Sequence, residues 1–263
     1  MIIQQGQLPG NFSLSRDFSI VSLVPSISWY LEDLGLLAQV TGITKFCTIR
    51  NKLFGNIPYM GGTKNPNIPE ILRLQPDLII ANKEENRKED IELLSKHSIV
   101  YLTEVANFDQ MLEMMKEIGI ICQKNQEAHQ WTQTLQQQFI SFNQEISLTP
   151  IIPVCYLIWK NPLMTVGQDT FIHFMLESAG FQNAFSHLKR YPVISEQEIY
   201  KSKPINLFLS SEPFPFQEKH LTEFAKLPSY LVDGRMFSWY GSFMQNTFSY
   251  LEALKYKTTQ HYA

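Results

Sequence analysis

The chain has 263 residues and a formal net charge of -3 at neutral pH, and 44% of its residues are hydrophobic. This length can bury the core of one large domain or of two smaller lobes, whereas the weak negative charge, with basic residues scattered singly, argues against a nucleic-acid-binding protein. No apolar run reaches the roughly 18 residues that a membrane-spanning helix needs.

Short apolar segments rich in β-branched residues alternate with helical patterns in the first hundred residues. The predicted strands cover residues 20–24, 40–43, 78–81 and 99–102. A first helix is predicted from an N-cap at Ser26 through Leu37, and a polar one over about 87–96. This alternation is typical of βαβ units with a mostly parallel sheet.

From residue 107 the apolar period is helical for about forty residues, with a predicted break near 119–125. The stripe after the break consists of Ala128, Trp131, Leu135, Phe139, Phe142 and Ile146. A helix of roughly 20 residues is about 30 Å long, enough to span two lobes. The predicted domains are an N-terminal lobe at 18–106, connecting helices at 107–149 and a C-terminal lobe at 150–263.

The last part of the chain repeats the α/β pattern. Strands are predicted at 154–159, 164–166, 205–209 and 230–232, and helices from a cap at Thr170 through Ala179, around 217–224 and over about 242–256. The predicted fold class is therefore α/β, with two lobes of mostly parallel sheet joined by a long backbone helix.

Several short motifs follow one another in a recognisable order. They are a strand ending at Pro25-Ser26, Gly61-Gly62 followed by Asn65, Pro66 and Glu70, the run Leu74-Gln75-Pro76-Asp77-Leu78-Ile79, and Asp233-Gly234 followed by Tyr240-Gly241. With the long helix, they make the chain resemble the helical-backbone substrate-binding proteins of ABC importers, of the cobalamin, haem and iron-siderophore type. The resemblance covers about residues 18–254. It implies reversible, non-catalytic capture of a metal chelate or tetrapyrrole in a cleft between the lobes, with corrinoid or haem ahead of a ferric siderophore and no intrinsic cofactor.

A planar macrocycle is held by rigid apolar side chains and oriented by a few polar groups. Trp159, Trp239 and Tyr240 follow predicted strands, at the carboxyl edge where open α/β sheets bind ligands. Lys64, Lys160 and Arg235, with Arg50, lie in loops at the same edge and could meet a ligand's negative charge. The predicted ligand-binding residues are Lys64, Asn65, Trp159, Lys160, Glu212, Arg235, Trp239 and Tyr240. Core packing for the aromatic side chains, solvation for the cations and a structural turn at Glu212 are the alternatives.

In the resembled family a glutamate on each lobe docks on arginines of an ABC permease. Glu70 stands at the matching position of the first lobe. In the second lobe the best-aligned position is Gln197, so Glu196 or Glu198 would have to substitute. An acidic first helical turn is the alternative for all three glutamates, because negative charge is favoured there.

The resemblance implies a periplasmic or extracytoplasmic location. The first twenty residues do not fit a signal peptide, because they lack a basic start and an apolar core, and this leaves a cytoplasmic location open.

Histidine and cysteine patterns argue against a bare metal site. The six histidines form no HxH or HExxH motif, and solvent exposure is expected for His220, on a polar helix, and for His129, on the central helix. Cys47, Cys122 and Cys155 are predicted to be buried thiols.

Catalysis has no sequence support either. GxSxG, P-loop and GxGxxG motifs are absent, so the chain is not expected to be an enzyme. The alternative is an intracellular enzyme or carrier that acts on a tetrapyrrole, such as a chelatase, which would require His173 or His220 to face inward.

Overall fold

The computed structural model describes residues 1–10, 12–15, 17–47, 55–224 and 226–260. The chain divides into two compact units. Unit 1 comprises Met1–Val105, Asp109–Leu135 and Tyr240–Phe243, and unit 2 comprises Ala106–Phe108, Gln136–Trp239 and Met244–Ala263. One long helix thus contributes its first half to unit 1 and its second half to unit 2.

Unit 1 is built on a five-stranded sheet in which every pair of neighbouring strands is parallel. In chain order its strands are β1 (Ile2–Gln4), β2 (Ile20–Ser22), β3 (Val40–Ile43), β4 (Leu78–Asn82) and β5 (Ile99–Thr103), arranged as β1-β5-β4-β2-β3. The helices up to the shared one are α1 (Pro25–Asp33), α2 (Ile68–Leu74), α3 (Lys88–Leu94), α4 (Phe108–Ile121) and α5 (Asn125–Ile146). Fully buried Val21, Ile79 and Val100 from the strands pack with Ile71 of α2 and Leu94 of α3.

The edge strand β1 was not predicted, because Ile2 and Ile3 are too short an apolar run to signal a strand. Its residues pair with Val100–Leu102 of β5. The turn after β1 is held by the carboxylate of Glu117, which accepts hydrogen bonds from the Gly6 amide at 3.1 and 3.2 Å and from the Tyr101 hydroxyl at 2.6 Å. This buried carboxylate therefore has two donors, of which the Gly6 amide is shared between its two oxygens.

The prediction that Ser26 caps the first helix through Leu37 is wrong at both ends. The N-cap is Val24, and Pro25 occupies the first turn, where a missing N–H costs nothing. The helix ends at Asp33, and Gly35 then adopts a positive φ of 71°, the conformation that commonly terminates helices.

Unit 2 contains a second sheet in the order β10-β9-β6-β7, with β8 beside the start of β6. Its strands are β6 (Ile152–Trp159), β7 (Met164–Thr165), β8 (Phe181–Asn183), β9 (Asn206–Ser210) and β10 (Ser229–Val232). Its remaining helices are α6 (Phe171–Ser178), α7 (Glu196–Lys201), α8 (Glu218–Leu221), α9 (Arg235–Ser238) and α10 (Thr247–Thr259). Only β7 among these strands runs antiparallel to its neighbour.

The predicted long helix is present as α5, which has 22 residues. Ala128, Leu135, Phe142 and Ile146 of its apolar stripe are buried. The predicted break lies between α4 and α5, where Gln123 has a positive φ of 56°. The prediction of an α/β fold with two lobes, mostly parallel sheets and a long helix is confirmed. No described helix combines the length and the apolar character needed to cross a membrane.

Candidate functional site

Three loops of unit 2 leave the sheet at one edge. Because β6, β9 and β10 are parallel neighbours, the residues that follow them share the carboxyl end of the sheet. These residues are Trp159, the last residue of β6, and Lys160 after it, Glu212 after β9, and Asp233 to Arg235 after β10. The edge of an open α/β sheet at which its strands end is where ligands bind.

Trp159 is the exposed aromatic side chain of this edge. Its side chain is 38% exposed, which is unusual for a tryptophan at the end of a central strand. The indole N–H donates to the Asn161 carbonyl at 3.2 Å, and the ring meets Phe214 edge-on with 5.7 Å between centroids. The indole is therefore held in one orientation with part of its surface facing solvent.

Glu212 is half-buried beside this tryptophan's loop. Its carboxylate accepts hydrogen bonds from the Ser238 hydroxyl at 2.9 Å and from the Trp239 indole. Burial raises the pKa of Glu212, and the Ser238 bond opposes that rise. Gly234 makes the close packing possible, because a Cβ there would lie 2.6 Å from Glu212 Cγ and 2.4 Å from Ser210 Oγ.

The predicted cations already have partners within the chain. Arg235 forms a two-pronged ion pair with Asp233, with Nε to Oδ1 at 3.0 Å and Nη2 to Oδ2 at 2.7 Å. Lys160 pairs with Glu223 at 2.7 Å. Lys64 donates to the backbone carbonyl of Glu84. Arg50 lies outside the described residues.

Trp239 and Tyr240 are more buried than expected of side chains that line an open site. Trp239 belongs to unit 2 and is 8% exposed, and Tyr240 belongs to unit 1 and is 5% exposed. Burial raises the pKa of Tyr240 well above its ordinary value. This burial gives both aromatic side chains a packing role within their units.

In unit 1 two buried asparagines organise the loop after β4. The Asn82 side chain accepts from the Glu84 and Glu85 amides at 2.8 and 3.3 Å. The Asn86 side chain accepts from the Asn82 amide at 2.8 Å and donates to the carbonyl oxygens of Leu23 and Thr63 at 3.4 and 2.9 Å. Three loops at the carboxyl end of this sheet are thereby joined.

The glycine turn at Gly61-Gly62 lies beside those loops. Gly61 has a positive φ of 83°, and a Cβ there would lie 2.7 Å from the Asn65 carbonyl oxygen. Only glycine fits this turn without strain. The Asn65 side chain in turn lies 2.5 Å from where a Gly62 Cβ would be, so Asn65 packs on the turn while remaining exposed.

Two exposed aromatic side chains beside this turn were missed by the sequence analysis. Phe46 follows β3 and is 54% exposed, and Tyr59 bridges to the end of β3 and is 61% exposed. Tyr59 directly precedes the Met60-Gly61-Gly62 segment, so its position next to the motif was the available signal. Unit 1 thus also presents large apolar rings at the carboxyl end of its sheet.

The predicted docking glutamates are all on helix first turns. Glu70 follows the N-cap Asn67 of α2 and pairs with Arg73 at 2.5 and 3.0 Å, which holds the pKa of Glu70 below its usual value. Glu196 accepts from the Tyr200 hydroxyl at 3.0 Å. Glu198 forms a capping box with the Ser195 hydroxyl and amide, so it stabilises the start of α7 whether or not it also contacts a permease.

The expectation that His220 is solvent-exposed is wrong. Its ring is 5% exposed, packs edge-on against Phe214 and Phe216, and accepts the Gln217 amide at 2.8 Å through Nδ1. His173 faces the Asn183 amide at 3.2 Å, with Glu177 at 3.9 Å. Within the described ranges no group of three or more His, Cys, Asp or Glu side chains could hold a metal ion.

The three cysteines are buried free thiols, as predicted. Burial raises the pKa of Cys122 and of Cys155 to about 12. Thiols with so high a pKa are neither ready nucleophiles nor metal ligands.

Comparison with known proteins agrees with this geometry. The sequence profile of the periplasmic binding protein family matches residues 20–227. The vitamin B12-binding protein of Salmonella choleraesuis is 23% identical over 140 residues, which is 52% of this chain and 53% of that protein, so the chain matches about half the length of such curated relatives.

Two solved structures share the fold over nearly their whole length. The periplasmic vitamin B12 binding protein BtuF of Vibrio cholerae superposes with a TM-score of 0.79 at 16% identity, covering 93% of this chain and 97% of that one. A periplasmic heme binding protein from Pseudomonas aeruginosa gives a TM-score of 0.79 at 16% identity, covering 91% and 92%. With most of its length matched by the family profile, this chain is a member of the periplasmic binding protein family.

Proposed function

We propose that this chain is the substrate-binding protein of an ABC importer and that it reversibly captures a metal-containing tetrapyrrole or chelate, with a corrinoid ahead of haem and of a ferric siderophore. Family membership supports binding rather than catalysis. The names of the relatives, vitamin B12-binding and heme-binding proteins, support the class of ligand. The chain supplies no cofactor of its own in this proposal.

The observation that carries the proposal is the exposed, oriented indole of Trp159 beside a half-buried polar cluster. A planar macrocycle can lie against a fixed ring and place its edge groups on nearby polar atoms. The polar groups within reach of this loop edge are Glu212, Asp233 and Arg235. Unit 1 separately presents the exposed rings of Phe46 and Tyr59 at the carboxyl end of its own sheet, with Lys64 and Asn65 in the adjoining glycine turn.

Charge favours a corrinoid over haem. Arg235 is neutralised by Asp233 and Lys160 by Glu223, while Glu212 adds a carboxylate, so the edge offers more hydrogen-bond acceptors than uncommitted positive charge. The periphery of a corrinoid carries neutral amide donors, which such acceptors can bind. Haem propionates would have to displace Asp233 or Glu223 from their cations, and that exchange loses a charge-assisted hydrogen bond for each one gained.

The test is a titration of the purified chain with cyanocobalamin and, separately, with haemin, followed by tryptophan fluorescence and visible absorption. We expect saturable binding of cyanocobalamin and tighter binding than for haemin. Trp159→Ala should weaken binding by about tenfold, since an aromatic contact contributes about 0.5–1.5 kcal/mol beyond its buried area and about 1.4 kcal/mol is one decade. Trp131→Ala, on α5, is the matched control and should bind like the wild type.

Failure would be clear in either arm. Absence of saturable binding for both compounds would refute the proposed ligand class. An equal loss for Trp159→Ala and Trp131→Ala would remove Trp159 from the site. Tighter binding of haemin than of cyanocobalamin would contradict the charge argument.

The proposed location is extracytoplasmic, and the proposed partner is a permease that contacts Glu70 on one unit and Glu196 or Glu198 on the other. Family membership supports both. Fractionation of source cells with an antibody tests the location, and protein found wholly in the cytosol would contradict it.

A further inference from the structure

A groove of about 370 Å³ lies between α5 and α10 in unit 2, and the proposed function makes no use of it. Its floor is formed by Phe142 and Phe248, whose rings lie 5.2 Å apart at a tilt of 43°. Both rings are nearly buried, with 1% and 6% exposure. The floor is therefore apolar and rigid.

Two carboxylates lie at one end of this groove. Glu145 follows Phe142 on α5 by three residues, and Glu252 follows Phe248 on α10 by four, so each lies one helical turn beyond the aromatic pair. Their charges interact: the pKa of Glu252 is raised first by burial and then by Glu145. None of the described residues that line the groove is a lysine or an arginine, so this end carries negative charge that nothing in the lining offsets.

The opposite end of the groove is polar and uncharged. Gln138 on α5 and Gln245, two residues before the start of α10, lie about one turn before the aromatic pair. Within the described part of the chain, Gln138 Oε1 is buried and accepts no hydrogen bond, and such an oxygen gains from a donor brought to it. From Gln137 to Glu145 the helix rises about 12 Å, which sets the length of the groove.

We propose that the α5–α10 groove binds a small organic amine with a neutral, hydroxyl-bearing body, the class of amino sugars and amino alcohols. The ammonium group sits between Glu145 and Glu252, the hydroxyl groups meet the amides of Gln138 and Gln245, and the apolar face of the ligand rests on the two phenylalanines. A bare cation would use only the carboxylate end, and a neutral sugar would leave that end uncompensated. This site is independent of the proposed corrinoid site.

The test compares glucosamine with glucose, which differ by the amine, in ligand-observed saturation-transfer NMR on the full chain. Glucosamine should give signals at least fivefold stronger than glucose. The double variant Glu145→Gln/Glu252→Gln should reduce the glucosamine signal to the glucose level. Ser249→Tyr, which fills the groove without a change of charge, should also abolish it.

The control variant is Glu89→Gln/Glu218→Gln, which removes the same charge from two exposed positions outside the groove and should bind glucosamine like the wild type. Circular dichroism melting of every variant separates loss of binding from loss of fold. Equal signals for both sugars would overturn the proposal. An equal loss of the glucosamine signal in the two double variants would also overturn it, because that result would indicate non-specific charge attraction. Displacement of glucosamine by millimolar Ca²⁺, together with an unchanged signal in Ser249→Tyr, would overturn it as well, because the groove would then be a simple cation site.

Discussion

Replacing Gly234 with alanine tests whether the loops after β9 and β10 are packed as closely as the structure shows. The added Cβ would lie 2.4 Å from Ser210 Oγ and 2.6 Å from Glu212 Cγ, distances that force the neighbours to move. Glu212 cannot move freely, because its carboxylate is tied to Ser238. Overpacking of this kind costs about 1–3 kcal/mol, which for a chain of this size lowers Tm by roughly 2–12 °C.

Calorimetry of Gly234→Ala and of a matched control measures this effect. Gly10 is the control, because a Cβ there would meet nothing within 4 Å, and Gly10→Ala should stay within about 0.5 kcal/mol of the wild type. Gly234→Ala should also weaken cyanocobalamin binding, since Glu212 has to shift. If Gly234→Ala has the same melting temperature as Gly10→Ala and binds cyanocobalamin like the wild type, the loops are not rigidly packed and the reasoning is wrong.

Three further outcomes are expected. Burial lowers the pKa of Lys255 to about 8 in the folded chain, whereas the pKa is about 10.4 in the unfolded chain. Below pH 8 the folded chain bears the full free-energy cost of a buried ammonium group, and this cost disappears as the pH rises from about 8 to about 10.4. The free energy of unfolding should then rise by up to about 3 kcal/mol over that window, and urea titrations of Lys255→Met should lack the rise. Glu117→Ala removes the acceptor of Tyr101 and should lower the free energy of unfolding by about 1.5–3 kcal/mol in urea, whereas a loss below 0.5 kcal/mol would show that water replaces it. Glu70→Ala should reduce ligand uptake by proteoliposomes that contain the permease without a change in ligand affinity, and Glu89→Ala should not; equal uptake for both variants would contradict docking through Glu70.

The strands and the long helix could be predicted from sequence because their signals are local. The segment 78–81 is a continuous run of buried apolar residues, and α5 carries its stripe at steps of three and four. The start of α1 could not be placed as easily, since Pro25 and Ser26 are both good helix-start residues and only the backbone shows which position each takes. The strand β1 depends on pairing with β5, almost a hundred residues away.

The site was less predictable than the fold because it depends on distant partners. Lys160 looks like a free loop cation until Glu223, 63 positions later, is seen to pair with it. His220 lies in a polar sequence, yet Phe214 and Phe216 cover it because the loop before α8 folds back. The exposure of Trp159 follows from its place at the end of a buried strand, where the chain leaves the core, but its role in ligand binding stays a prediction.

The asparagine pair in unit 1, Asn82 and Asn86, affects how much conformational entropy the loops would lose when a ligand binds. Asn86 joins the backbone of the loops at Leu23 and Thr63, and Asn82 fixes the amides of the loop that follows β4. Loops joined in this way have given up their conformational freedom on folding, so little more is lost when a ligand arrives. Asn86→Ala should therefore weaken ligand binding at this edge, because the released loops have to be ordered when the ligand binds and the ligand then dissociates faster. This effect is expected although the Asn86 side chain is itself buried.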